Sequence, residues 1–183
     1  MAKTRARAYT SPTLVLLCFD WLDGGKHPDF LGFSIKRSPG YDKSGKAQYL
    51  FNKLDFTPPK QGAKPKPSNQ APIQKFNWWD GGIGPSDAGK TFTYTITPVL
   101  GSGPNDLREQ TADAVDLKVK LPNIVEGGVG SYFNRAVVSS QAFQRGAKKP
   151  LTAQMAWLAN GIENAVPDFL ANNAGGVAGA IYH

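Results

Sequence analysis

The sequence has a single cysteine, Cys18, and only two histidines. One cysteine cannot form an intramolecular disulfide, and no Cys or His spacing is typical of a zinc site. Cys18 lies inside the apolar run 14–19, so we expect its thiol to pack as a small hydrophobic group. This cysteine usage favours a reducing compartment and predicts a cytoplasmic protein.

Long hydrophobic runs are also missing. The N-terminus is cationic, but the apolar run 14–18 is too short for a signal-peptide core or a membrane span. We therefore expect no secretion by the usual route and no transmembrane segment. A length of 183 residues suits one domain, or one domain with an appended piece, and is enough to bury a core.

Strong helix signals are scarce in the first two thirds of the chain. The sequence contains 20 Gly and 14 Pro, which favour turns and interrupt helices. Apolar and polar residues instead alternate with the period of two that is typical of strands. We predict a mainly β fold with strands at residues 12–21, 31–37, 48–56, 76–79, 91–99 and 115–121.

The predicted strands differ in how they bury their faces. The continuous apolar run in 12–21 predicts a strand buried on both faces, whereas 91–99 alternates threonines with Phe92, Tyr94 and Ile96 and predicts one buried face. Residues 57–72 are rich in proline and predict a linker-like loop.

The periodicity becomes helical after Pro122. Ser131 could cap a helix over residues 131–140, and a second helix is predicted to follow Pro150, with Pro167 closing or kinking it. The tail 175–183 resembles an apolar strand without a partner. The predicted organisation is a basic N-terminal arm (1–11), a β-sandwich (12–122) with a proline-rich insert at about 57–72, and a helical connector (123–183) ending in a truncated strand.

The net charge of +7 is unevenly distributed. Residues 1–75 carry 13 Lys or Arg and 5 acidic residues, and the remainder carries 8 and 9. Such asymmetry could mark a surface that attracts an anionic ligand, a phospholipid or a nucleic acid, but a role in solubility is the favoured interpretation. The reason is that Lys60, Lys64 and Lys66 alternate with prolines in the predicted loop.

One segment matches a nucleotide-binding pattern. Gly84-Pro-Ser-Asp-Ala-Gly89-Lys90-Thr91 satisfies G-x-x-x-x-G-K-T, the phosphate-binding P-loop. A P-loop needs a helix after the lysine, so that backbone N–H groups converge on the phosphates. Lys90 is instead followed by a run of alternating threonines, which is a poor helix and a good strand. We interpret the segment as a turn entering a strand and predict no cofactor.

Other candidate site residues are isolated. His27 lies in a predicted turn and His183 is the last residue, and neither has an evident partner. We interpret the carboxylates near turns as caps of backbone groups rather than as a calcium site or a hydrolytic pair; they are Asp20, Asp23, Asp29, Asp80 and Asp87. The cluster Phe76, Trp78 and Trp79 could stack on bases or sugars, but we expect it to fill the core. No catalytic, cofactor-binding or metal-binding residue is predicted.

Residues 10–122 resemble fibronectin type III and related immunoglobulin-like sandwiches. The run 14–21, the segment Leu31-Gly-Phe-Ser-Ile-Lys-Arg37 and the segment Asp87-Ala-Gly-Lys-Thr-Phe-Thr-Tyr94-Thr-Ile96 look like strand B, strand C and the turn into strand F. The resemblance places Tyr94 near the position of the corner tyrosine of that fold. It implies a fibronectin type III/immunoglobulin-like β-sandwich with a C-terminal helical extension.

Residues 125–183 resemble the region that precedes the catalytic domain in bacterial phospholipase D-like proteins. The resemblance rests on Val129-Gly-Ser-Tyr-Phe-Asn-Arg-Ala-Val-Val-Ser-Ser-Gln-Ala-Phe143, Met155-Ala-Trp-Leu-Ala-Asn-Gly-Ile162 and the closing Gly-Ala-Ile-Tyr-His183. That family cleaves phosphodiesters with paired His-x-Lys-x-x-x-x-Asp motifs, which this chain lacks, so no catalytic residue is carried over. The resemblance implies a longer phosphodiesterase whose catalytic domain follows His183, and no enzymatic activity in this chain.

Three functional hypotheses follow. The first is a non-catalytic accessory domain that positions a phospholipase D-like catalytic unit or recruits its anionic substrate. The alternative is a stand-alone binding or assembly sandwich that pairs its tail strand with a neighbouring subunit. The third is an independent hydrolase that uses Asp pairs or the P-loop-like segment, and it predicts metal or nucleotide binding that is lost in Lys90→Ala.

Overall fold

The computed structural model describes residues 3–42, 44–58, 63–133, 150–172 and 175. Two main antiparallel sheets enclose one hydrophobic core, and the described residues after them include two helices. The fold is mainly β, as predicted. The strands are β1 (Thr4–Ser11), β2 (Leu14–Trp21), β3 (Phe30–Ser38), β4 (Gln48–Tyr49), β5 (Phe51–Asn52), β6 (Lys66–Pro67), β7 (Asn77–Asp80), β8 (Thr91–Leu100), β9 (Arg108–Glu109), β10 (Val115–Lys120), β11 (Val125–Glu126) and β12 (Val129–Gly130).

The first sheet has the strand order β1-β2-β7. β1 pairs with the whole of β2, from Thr4 opposite Trp21 to Ser11 opposite Leu14. The sequence analysis places residues 1–11 in an arm and predicts no strand there. The alternating pattern of β1 is weak because its core-facing side chains are small. Of its apolar residues, Ala6 and Ala8 pack against the core.

Strand β2 buries one face rather than the two that its apolar run predicts. Val15, Leu17, Phe19 and Trp21 point into the core and are buried. The intervening side chains form the outer face of the sheet, where Leu14, Leu16 and Cys18 are half-buried and Asp20 is exposed. The Cys18 thiol, expected to pack as a small hydrophobic group, lies on that outer face and is half-buried.

The second sheet has the order β10-β8-β3-β4, with β9 pairing to the far end of β8. The predictions of β3, β8 and β10 are confirmed to within one residue at most ends. In β8, Phe92, Tyr94 and Ile96 are buried, while Thr93 and Thr95 face outward and are partly exposed. The alternation of threonines with large apolar residues therefore predicts this strand correctly.

The second half of the proline-rich insert packs on β3 instead of forming a loose linker. Strand β6 pairs with β5, and the next residue, Ser68, is fully buried. The Ser68 hydroxyl accepts a hydrogen bond from the Ile35 amide at 2.9 Å and donates to the Ile35 carbonyl at 3.1 Å. The Ser68 side chain thus bonds the backbone of β3 in the place of a neighbouring strand. The local composition of the insert does not predict this contact.

Close backbone contact continues beyond Ser68. Ile73 exchanges both backbone hydrogen bonds with Phe33 of β3. Gly32 lies directly before this bridge with φ of +128°, and a Cβ there would stand 2.5 Å from the Ile73 carbonyl oxygen. Glycine is required at position 32 both by its backbone conformation and by the space available.

The C-terminal extension contains α1 (Leu151–Ala159) and α2 (Ile162–Asn172). The predicted helix start after Pro150 is confirmed, but the break lies at Asn160 and Gly161, whose φ values of 56° and 95° are left-handed. Pro167 lies inside α2 and does not end it. Neither α1 nor α2 is long and apolar enough to cross a membrane.

Two predicted elements fall wholly or mostly outside the described residues. Of the helix predicted over 131–140, only residues 131–133 are described, and they are not helical. The apolar strand predicted at 175–183 lies beyond the described chain except for residue 175.

Candidate functional site

The P-loop-like segment forms a turn that enters a strand, as predicted. A single turn of 3-10 helix, Pro85–Asp87, is followed by β8 rather than by an α-helix. The Asp87 carboxylate accepts hydrogen bonds from the Gly84 amide and from the Lys90 ammonium, both at 3.0 Å. The groups that would hold a phosphate are thus bonded to an acidic side chain of the loop itself.

The candidate carboxylates are kept apart. Each of four pairs with its own basic partner: Asp23 with Lys3 and Lys26, Asp29 with Arg108, Asp80 with Arg37, and Asp87 with Lys90. Asp20 is exposed on β2. Within the described ranges, no three His, Cys, Asp or Glu side chains come close enough to hold a metal ion. A two-carboxylate hydrolytic centre is not formed by these residues.

The Asp23 carboxylate is held by two ammonium groups. Hydrogen bonds from the ammonium groups of Lys3 and Lys26 lower its pKa to about 2. This ion cluster ties residue 3 to the turn after β2. Charge neutralisation at a turn is its evident role.

His27 is part of an aromatic cluster. Its ring stacks on Trp21, with centroids 4.7 Å apart, and its Nδ1 lies 3.9 Å from Asp29. The Trp21 indole N–H in turn donates to the Asp113 carboxylate at 3.0 Å. His27 therefore covers one face of a core tryptophan.

A buried polar cluster joins the two sheets. Arg37 of β3, Asp80 of β7 and Tyr94 of β8 are each 3% exposed or less. One Asp80 oxygen accepts from the Arg37 guanidinium at 2.8 Å and from the Tyr94 hydroxyl at 2.9 Å. Burial, followed by the Asp80 charge, raises the pKa of Tyr94 far above its ordinary value.

The rest of the cluster satisfies the remaining polar atoms. Arg37 also donates to the Pro39 and Gly40 carbonyls at 3.1 and 2.8 Å, and its guanidinium lies 3.9 Å from the centre of the Tyr41 ring. The second Asp80 oxygen accepts from the Gly82 amide at 2.9 Å. Because donors and acceptors are matched inside the protein, we interpret the cluster as a clamp between the sheets rather than as an acid–base centre.

The corner-tyrosine expectation needs correction. The Tyr94 hydroxyl donates to a carboxylate of the facing sheet, whereas a corner tyrosine donates to backbone a few residues upstream. The clamp was missed by the sequence analysis, although one signal exists: Arg37 has the same strand parity as the core residues Phe33 and Ile35.

The helical extension is joined to the sandwich through Asn160. Its side-chain amide donates to the Thr13 hydroxyl in the β1–β2 turn and to the Phe133 carbonyl at 2.8 Å. Asn160 is only 5% exposed. An open groove of about 570 Å³ runs between the loop 81–87 and the helix junction.

Both helices leave large apolar side chains in solvent. Neither α1 nor α2 contains a buried residue. Leu151, Met155 and Val166 are more than half exposed, and Leu170 is 49% exposed. Several large exposed apolar side chains on neighbouring helices are typical of an interaction site.

The aromatic cluster 76–79 is divided between the core and the surface. Trp78 packs against the core, as expected, but Phe76 and Trp79 are 59% and 40% exposed. The prediction that all three fill the core is therefore wrong for two of them. The alternation of β7 explains the exposure of Trp79, since Trp78 and Trp79 point to opposite faces, whereas Phe76 lies just before the strand begins.

The outer face of the second sheet carries a polar groove of about 400 Å³. Glu109 accepts hydrogen bonds there from the Ser34 hydroxyl and from the Tyr49 hydroxyl, the latter at 2.9 Å. Burial and the Glu109 hydrogen bond raise the pKa of Tyr49 to about 12. The groove side chains are largely bonded to one another.

No known protein family and no curated protein sequence matches this chain.

In the part of the chain that the structure describes, large apolar or aromatic side chains are exposed on the helices α1 and α2 and on the outer face of the β1-β2-β7 sheet, where Tyr9 and Trp79 lie. Asn160, which links the helices to the sandwich, and Tyr9, which is exposed on β1, are not among the residues predicted from the sequence. Exposed aromatic and apolar side chains cannot be told from core residues until the facing elements are known.

Proposed function

We propose that this chain is a non-catalytic accessory domain that positions a phospholipase D-like catalytic unit. In this proposal α1 and α2 form the surface that packs against that unit. The observation that carries it is the exposure of Leu151, Met155, Val166 and Leu170 along two helices without a buried residue.

The energetics of short helices support a docking role. Helices of 9 and 11 residues are marginal in water by themselves, and they gain stability mainly by packing an apolar face. Here the Asn160 side chain supplies a polar link to the sandwich but covers little apolar surface. A facing domain would supply the missing burial, at about 25 cal/mol for each Å² of apolar surface removed from water.

The resemblance of residues 125–183 to the connector of phospholipase D-like proteins supports the choice of partner. The strand orders β1-β2-β7 and β10-β8-β3-β4 also support a fibronectin type III/immunoglobulin-like sandwich, in which three strands face four. Such sandwiches serve many functions, so the partner is inferred from the connector and not from the sandwich.

The coding sequence beyond the codon for His183 tests the proposal directly. We expect the reading frame to continue into paired His-x-Lys-x-x-x-x-Asp motifs. A stop codon at that point would contradict the proposal and favour the alternative, a stand-alone binding or assembly module. In that alternative the strand predicted at 175–183 pairs with a neighbouring subunit, which sedimentation velocity would detect as concentration-dependent association that is lost when residues 175–183 are removed.

A further inference from the structure

We propose that the outer face of the β1-β2-β7 sheet binds single-stranded nucleic acid. Bases would stack on Tyr9 and Trp79, and phosphates would contact Arg5 and Arg7. The surface shares no residue with the helix surface described above. The inference adds a ligand to the accessory role, and its test does not depend on a catalytic partner.

The strand register places the two aromatic side chains in one row. Tyr9 of β1 lies opposite Leu16 of β2, and Leu16 lies opposite Trp79 of β7. Tyr9 and Trp79 are 51% and 40% exposed. Two strand spacings separate them by roughly 10 Å, with the half-buried Leu16 between them. The row is a continuous apolar and aromatic platform open to solvent.

Cationic side chains flank this platform. Arg5, Arg7 and Tyr9 alternate on the exposed face of β1, and the Arg7 guanidinium lies 5.0 Å from the centre of the Tyr9 ring. The row next to the aromatic one contains Arg7, Cys18 and Asn77, so its charge is positive. Across the outer face of these three fully described strands, Asp20 is the only carboxylate, and it lies opposite Arg5.

A purely structural explanation accounts for part of this face. Edge strands often carry charged residues that prevent pairing with other chains, which would explain the arginines of β1. It does not explain an exposed tryptophan on β7. Aromatic side chains beside cations are the combination that binds single strands, because every base has a face to stack and every nucleotide carries a phosphate.

Other anionic partners fit the face less well. Polybasic attraction to a lipid surface uses clusters of about four to eight Lys or Arg, and this face has two arginines. Duplex DNA is read by a helix or ribbon inserted in a groove, or by wedge side chains, and a flat platform offers neither. A single strand with splayed bases is therefore the favoured ligand.

Fluorescence anisotropy with a labelled oligothymidine of about 12 nucleotides tests the platform on the full chain. We expect Tyr9→Ala and Trp79→Ala each to weaken binding by about 5- to 100-fold, from the loss of one stacked base. Phe76→Ala is the control, because Phe76 is an exposed aromatic residue directly before β7 whose ring contacts Phe33 of the other sheet instead of the outer face. Its affinity should equal that of the wild type.

The salt dependence of binding tests the arginines. Arg5→Gln with Arg7→Gln should reduce the slope of log affinity against log salt by about 1.4, or about 0.7 for each phosphate contact. The control Lys46→Gln with Lys64→Gln removes the same charge at exposed loop positions and should leave the slope unchanged. Equal effects of the two double variants would indicate general electrostatic attraction and overturn the proposal.

Three further results would overturn it: no binding at low salt, tighter binding to duplex than to single strand, or equal binding to anionic phospholipid vesicles. Circular dichroism checks that each variant is folded, and Trp79→Leu, which keeps an apolar side chain without a stacking face, should lose affinity as Trp79→Ala does. Because no helix residue is changed, failure here leaves the helix-docking proposal standing, and a stop codon after His183 leaves this one standing.

Discussion

Arg37 and Asp80 hold opposite charges inside the core, where removal from water costs several kcal/mol for each ion. The cost is offset by hydrogen bonds around the pair. Asp80 accepts from the Tyr94 hydroxyl and the Gly82 amide, and Arg37 donates to the carbonyls after β3. The pair links strands of opposite sheets, so it defines how the sheets face each other. The pair is stable in the core because all of its hydrogen-bonding groups have partners. Removal of one charged member would leave the other buried without a counterion and lower the free energy of unfolding.

Removal of Asp80 should destabilise the fold more than removal of the Tyr94 hydroxyl. Asp80→Ala leaves the Arg37 charge buried without a counterion, and we expect the free energy of unfolding to fall by about 3–5 kcal/mol. Tyr94→Phe deletes one hydrogen bond to a charged group and should cost about 1.5–3 kcal/mol. Urea denaturation measures both, and an equal or smaller loss for Asp80→Ala would contradict the clamp.

At the scale of elements, the junction of α1 and α2 is decided by one residue. Asn160 adopts the left-handed conformation that ends α1, and its side chain reaches both the β1–β2 turn and Phe133. Asparagine tolerates this conformation better than most residues other than glycine. Conformation and hydrogen bonding are thus combined at a single position.

Two substitutions separate these contributions. Asn160→Gly keeps the left-handed conformation and loses both hydrogen bonds, so amide protection in α1 and α2 should fall while β2, β3 and β8 keep theirs. Asn160→Ala adds a backbone penalty of about 1–2 kcal/mol and should reduce helix protection further. Hydrogen exchange measures the two variants. Wild-type protection of the helices in both would show that Asn160 does not hold them.

At the scale of the whole molecule, paired side chains make the free energy of unfolding depend on pH. Asp23 has a pKa of about 2 in the folded protein, below its ordinary value of 3.8, and Asp42 and Asp55 are also lowered. A lowered carboxylate pKa stabilises the fold above the ordinary value and loses that contribution as pH falls through the folded value. The raised pKa of Tyr49 acts in the opposite direction at alkaline pH.

Unfolding free energies measured across pH should show both limits. Stability should fall between about pH 4 and 2, and Asp23→Asn should reduce that slope without abolishing it, since Asp42 and Asp55 contribute as well. At the other end, the contribution of neutral Tyr49 is present below pH 10 and is lost as pH rises towards 12. Tyr49→Phe should flatten the alkaline slope, and an unchanged slope would refute the assignment.

Much of the fold was predictable, and the site was less so. Strict alternation identified β3, β8 and β10, and the threonine run after Lys90 correctly excluded a P-loop. Strand β1 was missed because alanines give a weak period, and the packing of residues 66–73 on β3 was missed because proline-rich composition is read as loose. Tyr9, Trp79 and Asn160 could not be assigned to surfaces or junctions from local pattern.

The mainly β fold, the positions of the long strands and the start of the helical extension follow from local sequence patterns, because strand and helix periods are local properties of the chain. Three features required the folded chain: Arg37 and Asp80 meet in the core, the helices keep apolar side chains in solvent, and Tyr9 and Trp79 share one face. These features depend on which distant segment packs against each face. Alternation along a strand assigns each side chain to one of two faces, but it does not identify the segment that covers that face.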